Sequence, residues 1–366
     1  MNKIALFLPD IADGGAERVL LALAANFIKQ GLAVDLVLGK AGGPHMANVP
    51  PGVRVIDLDA PRMLHSIVPL VKYLRGERPA TLLATQIHVV LCAILAKMIA
   101  CVPVRLVLRE ANTLSVDCRE NRTLKWRLTF LAARHLYRFA DAIIAVSRGV
   151  ADDLQRHIAA GRDKIITINN PVALDAIAAQ AEEEPGGAWF RANMAPVVIG
   201  VGRLTKQKDF VTLIKAFALV RRHRAAKLLI IGEGEDRQEL EQLAAGLGLA
   251  DDVMLPGFVV NPFACLARAA VFVLSSAWEG FPNVLVQAMA CGTPVVATDC
   301  PSGPDEILEA GKYGPLVPIG DVAALAAAIE KTLDQPVSAE SLRQKCREYN
   351  EADITEQYLA VLLPSR

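Results

Sequence analysis

The stretch from Val271 to Thr298 constrains the fold most tightly. Val271 to Leu274 is a short apolar run of the kind that forms a buried strand. A loop follows, ending in Glu279-Gly280-Phe281. Pro282 suits the first position of a helix, where its missing N–H costs nothing. The helix continues through Ala290, and Gly292 stops it. Thr293 to Thr298 then reads as the next strand. Strand, glycine-containing loop, helix and strand make half a turn of a parallel α/β sheet, because parallel neighbours need a crossover. The first N–H groups of such a helix suit an anion, a phosphate for example. Asn283 and Gln287, four apart, share one face of it. With Glu279 just ahead, one carboxylate and two amides converge beside an anion site.

The same unit recurs along the chain. Ile4 to Pro9 reads as a strand, the loop from Asp10 ends in Gly14-Gly15, and a helix runs from Ala16 to Gln30. That Gly-Gly loop can place backbone N–H groups against a phosphate, although it lacks the full G-x-G-x-x-G spacing. Strands are expected at Ala33–Leu38, Val53–Ile56, Thr81–Ala84, Val104–Leu108, Ala142–Val146 and Lys164–Ile168. Asn169-Asn170-Pro171 is a turn signal, and Ala181 to Gly187 is acidic and contains glycine, so the linker is placed there. A second alternating series follows, with strands at Val197–Val201, Lys227–Ile231, Val253–Leu255, Val271–Leu274 and Pro294–Ala297. Helices are expected at Val322–Leu333, Ser341–Tyr349 and Asp353–Leu363. The fold class is α/β with two doubly wound, Rossmann-like parallel sheets. The expected domains are 1–170 and 171–350, followed by a terminal helix in 351–366.

At 366 residues the length suits two domains, and 53% hydrophobic residues can build two cores. None of the seven cysteines forms a C-x-x-C pair, and several lie in apolar surroundings, which points to reduced thiols in a cytoplasmic protein. Six residues between Lys3 and Asp10 are too few for a signal-peptide core. The longest apolar stretch, Val89 to Val104, is broken by Lys97 and Pro103 and is too short to span a bilayer. The charge is uneven. Residues 1–168 carry 22 Lys and Arg against 14 Asp and Glu, a balance of +8; the remainder carries 17 against 25, a balance of −8. The basic first half could face something anionic.

A second motif, Gly200-Val201-Gly202-Arg203-Leu204-Thr205-Lys206-Gln207-Lys208, directly follows the first strand of the second series. Arg203 offers a planar fork suited to phosphate, and Lys208 a mobile point charge. Loops at strand ends in such sheets form the ligand crevice. Two further strand-to-loop transitions lie at Ile231-Gly232-Glu233-Gly234 and Pro256-Gly257-Phe258. Phe258 is either a wall of the ligand pocket or a core aromatic.

These motifs resemble the retaining glycosyltransferases of family four, which have the GT-B fold. The resemblance is closest over 195–318 and extends to G-G-A-E-R-V-L at Gly14 to Leu20. The family signature is Glu, seven residues, then Glu; here Glu279 stands first and Gln287 takes the second position. The resemblance implies two domains facing a deep cleft, with a final helix crossing back to the first domain. It implies transfer of a hexosyl or N-acetylhexosaminyl group from a nucleotide-diphosphate sugar, the uridine form by default, to a glycan or a polyprenyl-linked acceptor. Arg203 and Lys208 would neutralise the diphosphate, aided by Gly202, Gly14 and Gly15 and by the amides of Gly280, Phe281, Pro282 and Asn283. Glu279 would hold donor-sugar hydroxyls, Gln287 the ribose, and Phe258 would line the base pocket. Many relatives carry a His where Arg109 and Glu110 stand, so these two are the acceptor-side candidates. No cofactor and no metal are expected. A GT-B epimerase or phosphorylase, or a non-catalytic nucleotide-sugar-binding subunit, stays open beside this reading.

Asp57-Leu58-Asp59 has the D-x-D spacing of metal-dependent transferases, but it ends a first-half strand and reads as two surface aspartates. His88 reads as a helix-start residue. No nucleic-acid partner is indicated. Asp117 to Asp141 holds Arg119, Arg122, Lys125, Trp126, Arg127, Arg134 and Arg138, with Leu124, Leu128 and Leu131 spaced i, i+4, i+7. Two readings fit. One is a core-facing leucine stripe with a solvated basic remainder. The other is a helix lying on an anionic membrane, with Trp126 at the headgroup level, which makes the protein peripheral on the inner face of the cytoplasmic membrane.

Overall fold

Two wholly parallel sheets organise the chain. The first contains β1 (Lys3–Leu8), β2 (Ala33–Leu38), β3 (Arg54–Asp57), β4 (Thr81–Thr85), β5 (Arg105–Glu110), β6 (Ala142–Ala145) and β7 (Ile165–Thr167). Their order is β3-β2-β1-β4-β5-β6-β7. The second contains β8 (Val197–Val201), β9 (Lys227–Ile231), β10 (Val253–Gly257), β11 (Val271–Leu274), β12 (Val295–Thr298) and β13 (Leu316–Val317), in the order β10-β9-β8-β11-β12-β13. The computed structural model describes residues 3–11, 14–43, 46–121, 123–185, 188–190 and 195–364. It divides into one unit of Met1–Pro171 with Glu351–Arg366, and another of Val172–Asn350.

Central strands are buried because helices cover both faces of the sheet: β11 throughout, and β1 at every residue after Lys3. They read as continuous apolar runs rather than as alternation for that reason. In each sheet the strand order reverses once, between β1 and β4 and between β8 and β11. Loops leaving the carboxyl ends of strands on either side of such a reversal diverge and leave a crevice.

The helix Glu351–Leu362 belongs to the first unit, where Ile354, Tyr358, Val361 and Leu362 join the apolar core. Its last carbonyls need partners from outside the helix. Arg105 Nε donates to Val361 O at 2.8 Å, and Thr81 Oγ1 to Leu362 O at 2.5 Å. Residues 181–185, expected as part of the linker, are instead fastened into the second unit. Asn261 Nδ2 donates to Gln180 O, and Arg268 Nη1 to Ala181 O. Gly186 and Gly187 lie outside the described residues. β13 is not among the expected strands, since two residues carry no period.

The leucine stripe of the helix Leu124–Leu136 does not face the core. Leu124, Leu128 and Leu131 are 71%, 58% and 52% exposed. The inward side of this helix carries Trp126, Phe130 and buried Ala133. The Trp126 ring, half-buried, packs 5.3 Å from that of His88. Arg122 lies outside the described residues. No helix among those described is long and apolar enough to cross a membrane. All seven cysteines are free and five are buried.

Candidate functional site

The reversal point of the second sheet brings two expected residues together. Lys208, in the loop after β8, donates from Nζ to Glu279 Oε1 at 2.5 Å. Glu279 lies in the loop after β11 and is 6% exposed. The same oxygen accepts the Ser276 hydroxyl at 2.6 Å. Ser275 Oγ donates to Lys208 O at 2.7 Å, and Thr298 Oγ1 donates to Ser276 O at 2.6 Å. Between the loops, Ala277 N donates to Gln207 O, and Gln207 Nε2 to Trp278 O. The two charges are therefore held by a laced frame rather than by their own long side chains. Sequence reasoning missed Ser276. Its one signal is the S-x-x-E spacing to Glu279, which reads as a helix capping box, but no helix starts at Ser276.

Arg203 is exposed and pairs with no carboxylate among the described residues. Its loop is pressed against the loop after β9. Gly202 N donates to Ile231 O at 3.0 Å and Leu204 N to Glu233 O at 2.9 Å. Gly232 has φ +144°, and a Cβ there would stand 1.9 Å from Gly202 O, so glycine is required on both counts. Phe258, just beyond β10, is 58% exposed, which leaves its ring open and rejects the core reading.

The helix after Glu279 begins one residue later than the sequence suggested. It spans Asn283–Cys291, with Pro282 in the capping position before it and Gly292 at φ +84° after it. Its anion-holding amides are also fewer than expected. Pro282 has none, and Asn283 N donates to Phe281 O at 2.9 Å. The Phe281 side chain is buried against Tyr349, with ring centroids 5.3 Å apart, so this residue can offer a ligand only its main chain. Gly280 is also buried. Asn283 and Gln287 are half-buried on one face.

In the first unit, Gly14 caps the helix Gly15–Lys29 without a side-chain bond. A Cβ on Gly14 would lie 2.0 Å from a Glu17 oxygen, so glycine makes room for this buried carboxylate. Gln86 Nε2, from the loop after β4, donates to Glu17 Oε1 at 2.6 Å. The first sheet thus also ties the helix after β1 to the loop after β4 at its reversal point. Ala12 and Asp13 of the glycine loop lie outside the described residues.

The acceptor-side expectation fails for Arg109 and Glu110. Arg109 has no exposed surface; its guanidinium donates to Tyr358 OH at 3.0 Å, Asn170 Oδ1 at 2.6 Å and Thr85 Oγ1 at 3.4 Å. It ties the terminal helix to the sheet. Glu110 is 2% exposed and accepts the Tyr137 hydroxyl at 2.5 Å; burial pushes its carboxyl up to about 8. Strand residues that end a parallel sheet face helices on both sides, and the register placed these two inward. Asp57 Oδ1 accepts the amides of Ala41 and Asp59 and so closes a turn. Burial lowers the His88 pKa, with Lys125 adding to the effect. Among the described residues, no group of three or more His, Cys, Asp or Glu is placed to hold a metal ion.

Comparison with known proteins agrees with this geometry. The model for glycosyl transferases group 1 matches residues 187–353, and that for glycosyltransferase family 4 matches residues 13–176. The chain belongs to the glycosyltransferases. It is similar to a Campylobacter jejuni enzyme named N-acetylgalactosamine-N,N'-diacetylbacillosaminyl-diphospho-undecaprenol 4-alpha-N-acetylgalactosaminyltransferase, with 31% identity over 66% of this chain and 64% of that one. A second C. jejuni transferase, the GalNAc-alpha-(1->4)-GalNAc-alpha-(1->3)-diNAcBac-PP-undecaprenol alpha-1,4-N-acetyl-D-galactosaminyltransferase, is 27% identical over 99% of this chain and 98% of its own. The chain spans between 45% and 64% of the length of the first three curated relatives that it matches. Among solved structures, Anabaena HepE in complex with UDP-glucose superposes with a TM-score of 0.81 at 22% identity, over 98% of this chain and 99% of that one. The fold of this glycosyltransferase is GT-B.

Proposed function

We propose that this glycosyltransferase moves a hexosyl or N-acetylhexosaminyl group from a nucleotide-diphosphate sugar to a glycan or lipid-linked acceptor, with retention at the anomeric carbon. The observation that carries the reading is the Lys208–Glu279 pair at the strand-order reversal, with exposed Arg203, which pairs with no carboxylate among the described residues, on the same loop as Lys208. The chemistry separates a sugar cation from a diphosphate. Arg203 and Lys208 neutralise the charge that develops on the leaving phosphate, a stabilisation worth several kcal/mol in a preorganised site. Lys208 leaves Glu279 for the diphosphate when donor binds, and Glu279 turns to the donor-sugar hydroxyls. Gln287 holds the ribose through one amide oxygen. Phe258 presents an open ring to the base. Retention follows a front-face route in which the leaving phosphate takes the acceptor's proton, so no protein nucleophile is required.

Three relatives support the substrate classes: the HepE complex holds UDP-glucose, and both C. jejuni relatives are named for diphospho-undecaprenol acceptors. A lipid-linked acceptor sets the work at a membrane surface. The helix Leu124–Leu136 is suited to lie there, with three exposed leucines beside exposed Lys125, Arg127 and Arg134. We place the protein peripherally on the inner face of the cytoplasmic membrane. The deciding experiment is mass spectrometry of products from a panel of nucleotide sugars and lipid-linked acceptors. Release of nucleotide only when acceptor is present supports transfer; release or sugar conversion without acceptor would indicate an epimerase or phosphorylase. Arg203→Ala is expected to cut turnover at least about a hundredfold, the weight of one transition-state donor. Gln287 in place of Glu favours one second reading, a donor-binding subunit without turnover, which tight donor binding with no product on any acceptor would support.

A further inference from the structure

Beside the outward leucine row, the helices Leu114–Glu120, Leu124–Leu136 and Arg148–His157 form a cavity of about 540 Å³. Ser115, Cys118, Arg119, Arg127, Phe130 and His157 line it. None of these residues is used by the proposed transfer chemistry. The cations and carboxylates here are unequally committed. Arg127 forms no ion pair among the described residues, and the Arg119 contact is to neighbouring Glu120 at 3.6 Å, both side chains being largely in water. Such a pair is weak. The nearby carboxylates are occupied. Asp117 accepts from Asn112 Nδ2 at 2.9 and 3.0 Å, and Asp153 accepts the Ser115 amide at 3.1 Å and lies 3.0 Å from His157 Nδ1. The cavity therefore offers two guanidinium forks beside an aromatic wall.

The leucine row tells which anion fits. At 100° per residue, Arg127 and Arg134 fall along one flank of the Leu124, Leu128, Leu131 row. A helix lying in a bilayer with its leucines among the acyl chains sets that flank at the depth of the lipid phosphates. Arg127 belongs to both the flank and the cavity. We propose that this cavity seats the phosphate or diphosphate of a lipid, gripped by Arg119 and Arg127 with Phe130 against the first carbons of the chain. The assignment rests on the lipid-linked reading of the acceptor and gives it a place on the first unit.

The test compares two double variants of the full chain that each remove two charges. Arg119→Gln/Arg127→Gln empties the cavity of its forks; Lys125→Gln/Arg134→Gln lowers the surface charge elsewhere on the helix. Each is sedimented with phosphatidylcholine vesicles doped with phosphatidic acid, which presents a terminal phosphate, or with phosphatidylserine at matched surface charge. The wild-type chain should prefer phosphatidic acid. The cavity variant should lose about thirtyfold in affinity for it, the weight of two basic residues at an anionic surface, together with the preference. The control variant should weaken both lipids alike and keep the preference. Equal losses in the two variants, or no preference in the wild type, would overturn the site in favour of diffuse attraction. Release of wild type from the vesicles by inorganic diphosphate at equal phosphate concentration would assign the cavity to a soluble ion and overturn the lipid. Unchanged thermal unfolding reports that both variants are folded, and unchanged nucleotide-diphosphate affinity that the second unit is untouched. If the wild type fails to bind nucleotide at all, the transferase reading falls while the vesicle result stands.

Discussion

Replacing Lys208 by alanine separates the structural and the chemical roles of the central ion pair. The Lys208 and Glu279 side chains are 16% and 8% exposed, so water screens them little. Removing the cation leaves a carboxylate that is 6% exposed without its ion partner. Breaking one side of a buried pair costs about 3–5 kcal/mol. The Ser276 hydroxyl still donates to Glu279, which sets the expectation at the lower end, about 3 kcal/mol. Turnover should fall by at least about a hundredfold, as for loss of one preorganised donor. Adding Glu279→Gln to Lys208→Ala removes the stranded charge. Stability should then return to within about 1 kcal/mol of the parent, since an amide in this place costs about one hydrogen bond, while turnover stays low. Urea unfolding followed by tryptophan fluorescence reads the first quantity; Trp189 and Trp278 both lie in the second unit. Initial rates with saturating donor read the second. Additive stability costs for the two substitutions would show that the pair is not coupled. Recovery of turnover in the double variant would remove Lys208 from the chemistry.

Two further outcomes follow from particular residues. Glu110 titrates near 8 when folded, against 4.5 for an ordinary carboxyl, because burial disfavours its charge. The folded chain then holds a proton that the unfolded chain has lost between those values, so stability falls as pH rises through that window and levels off above it. Glu110→Gln should flatten this dependence, matching the parent near the bottom of the window and exceeding it by roughly a few kcal/mol above the top; identical pH profiles in thermal unfolding would contradict a buried neutral carboxyl. With Asp57 closing a turn, turnover should survive EDTA; complete loss, restored by added Mg²⁺ or Mn²⁺, would reveal a metal role in transfer.

Much of this protein was determined locally. Strands buried on both faces read as apolar runs, and the glycine loops follow them at the ends where a parallel sheet opens. The spacing of Arg203, Lys208 and Glu279 to their strands placed all three on loops at the carboxyl ends of β8 and β11, which the fold makes neighbours. Backbone propensity and pattern act over a few residues, so sequence alone carries them. It could not give Pro282 its place one step outside the helix, because the preceding loop bends the Asn283 amide onto Phe281.

What only tertiary structure decided is which side of a residue meets protein. The i, i+4, i+7 leucines and the Trp126, Phe130, Ala133 side of the same helix are both apolar patterns, and periodicity treats them alike. Packing against the neighbouring helix, with Trp126 on His88, turned the leucines outward. Arg109 and Glu110 end a strand in a position that suits a ligand, yet the terminal helix returns from the far end of the chain and Tyr358 takes the guanidinium. Ser276 and Glu279 lie three apart in one loop, but the ties of that loop to Lys208 and Thr298 set its hydroxyl on the carboxylate, whereas the S-x-x-E spacing alone reads as a helix cap. Each of these outcomes depends on groups distant in sequence or on the choice between two equally apolar faces, and neither leaves a mark in the local pattern of residues.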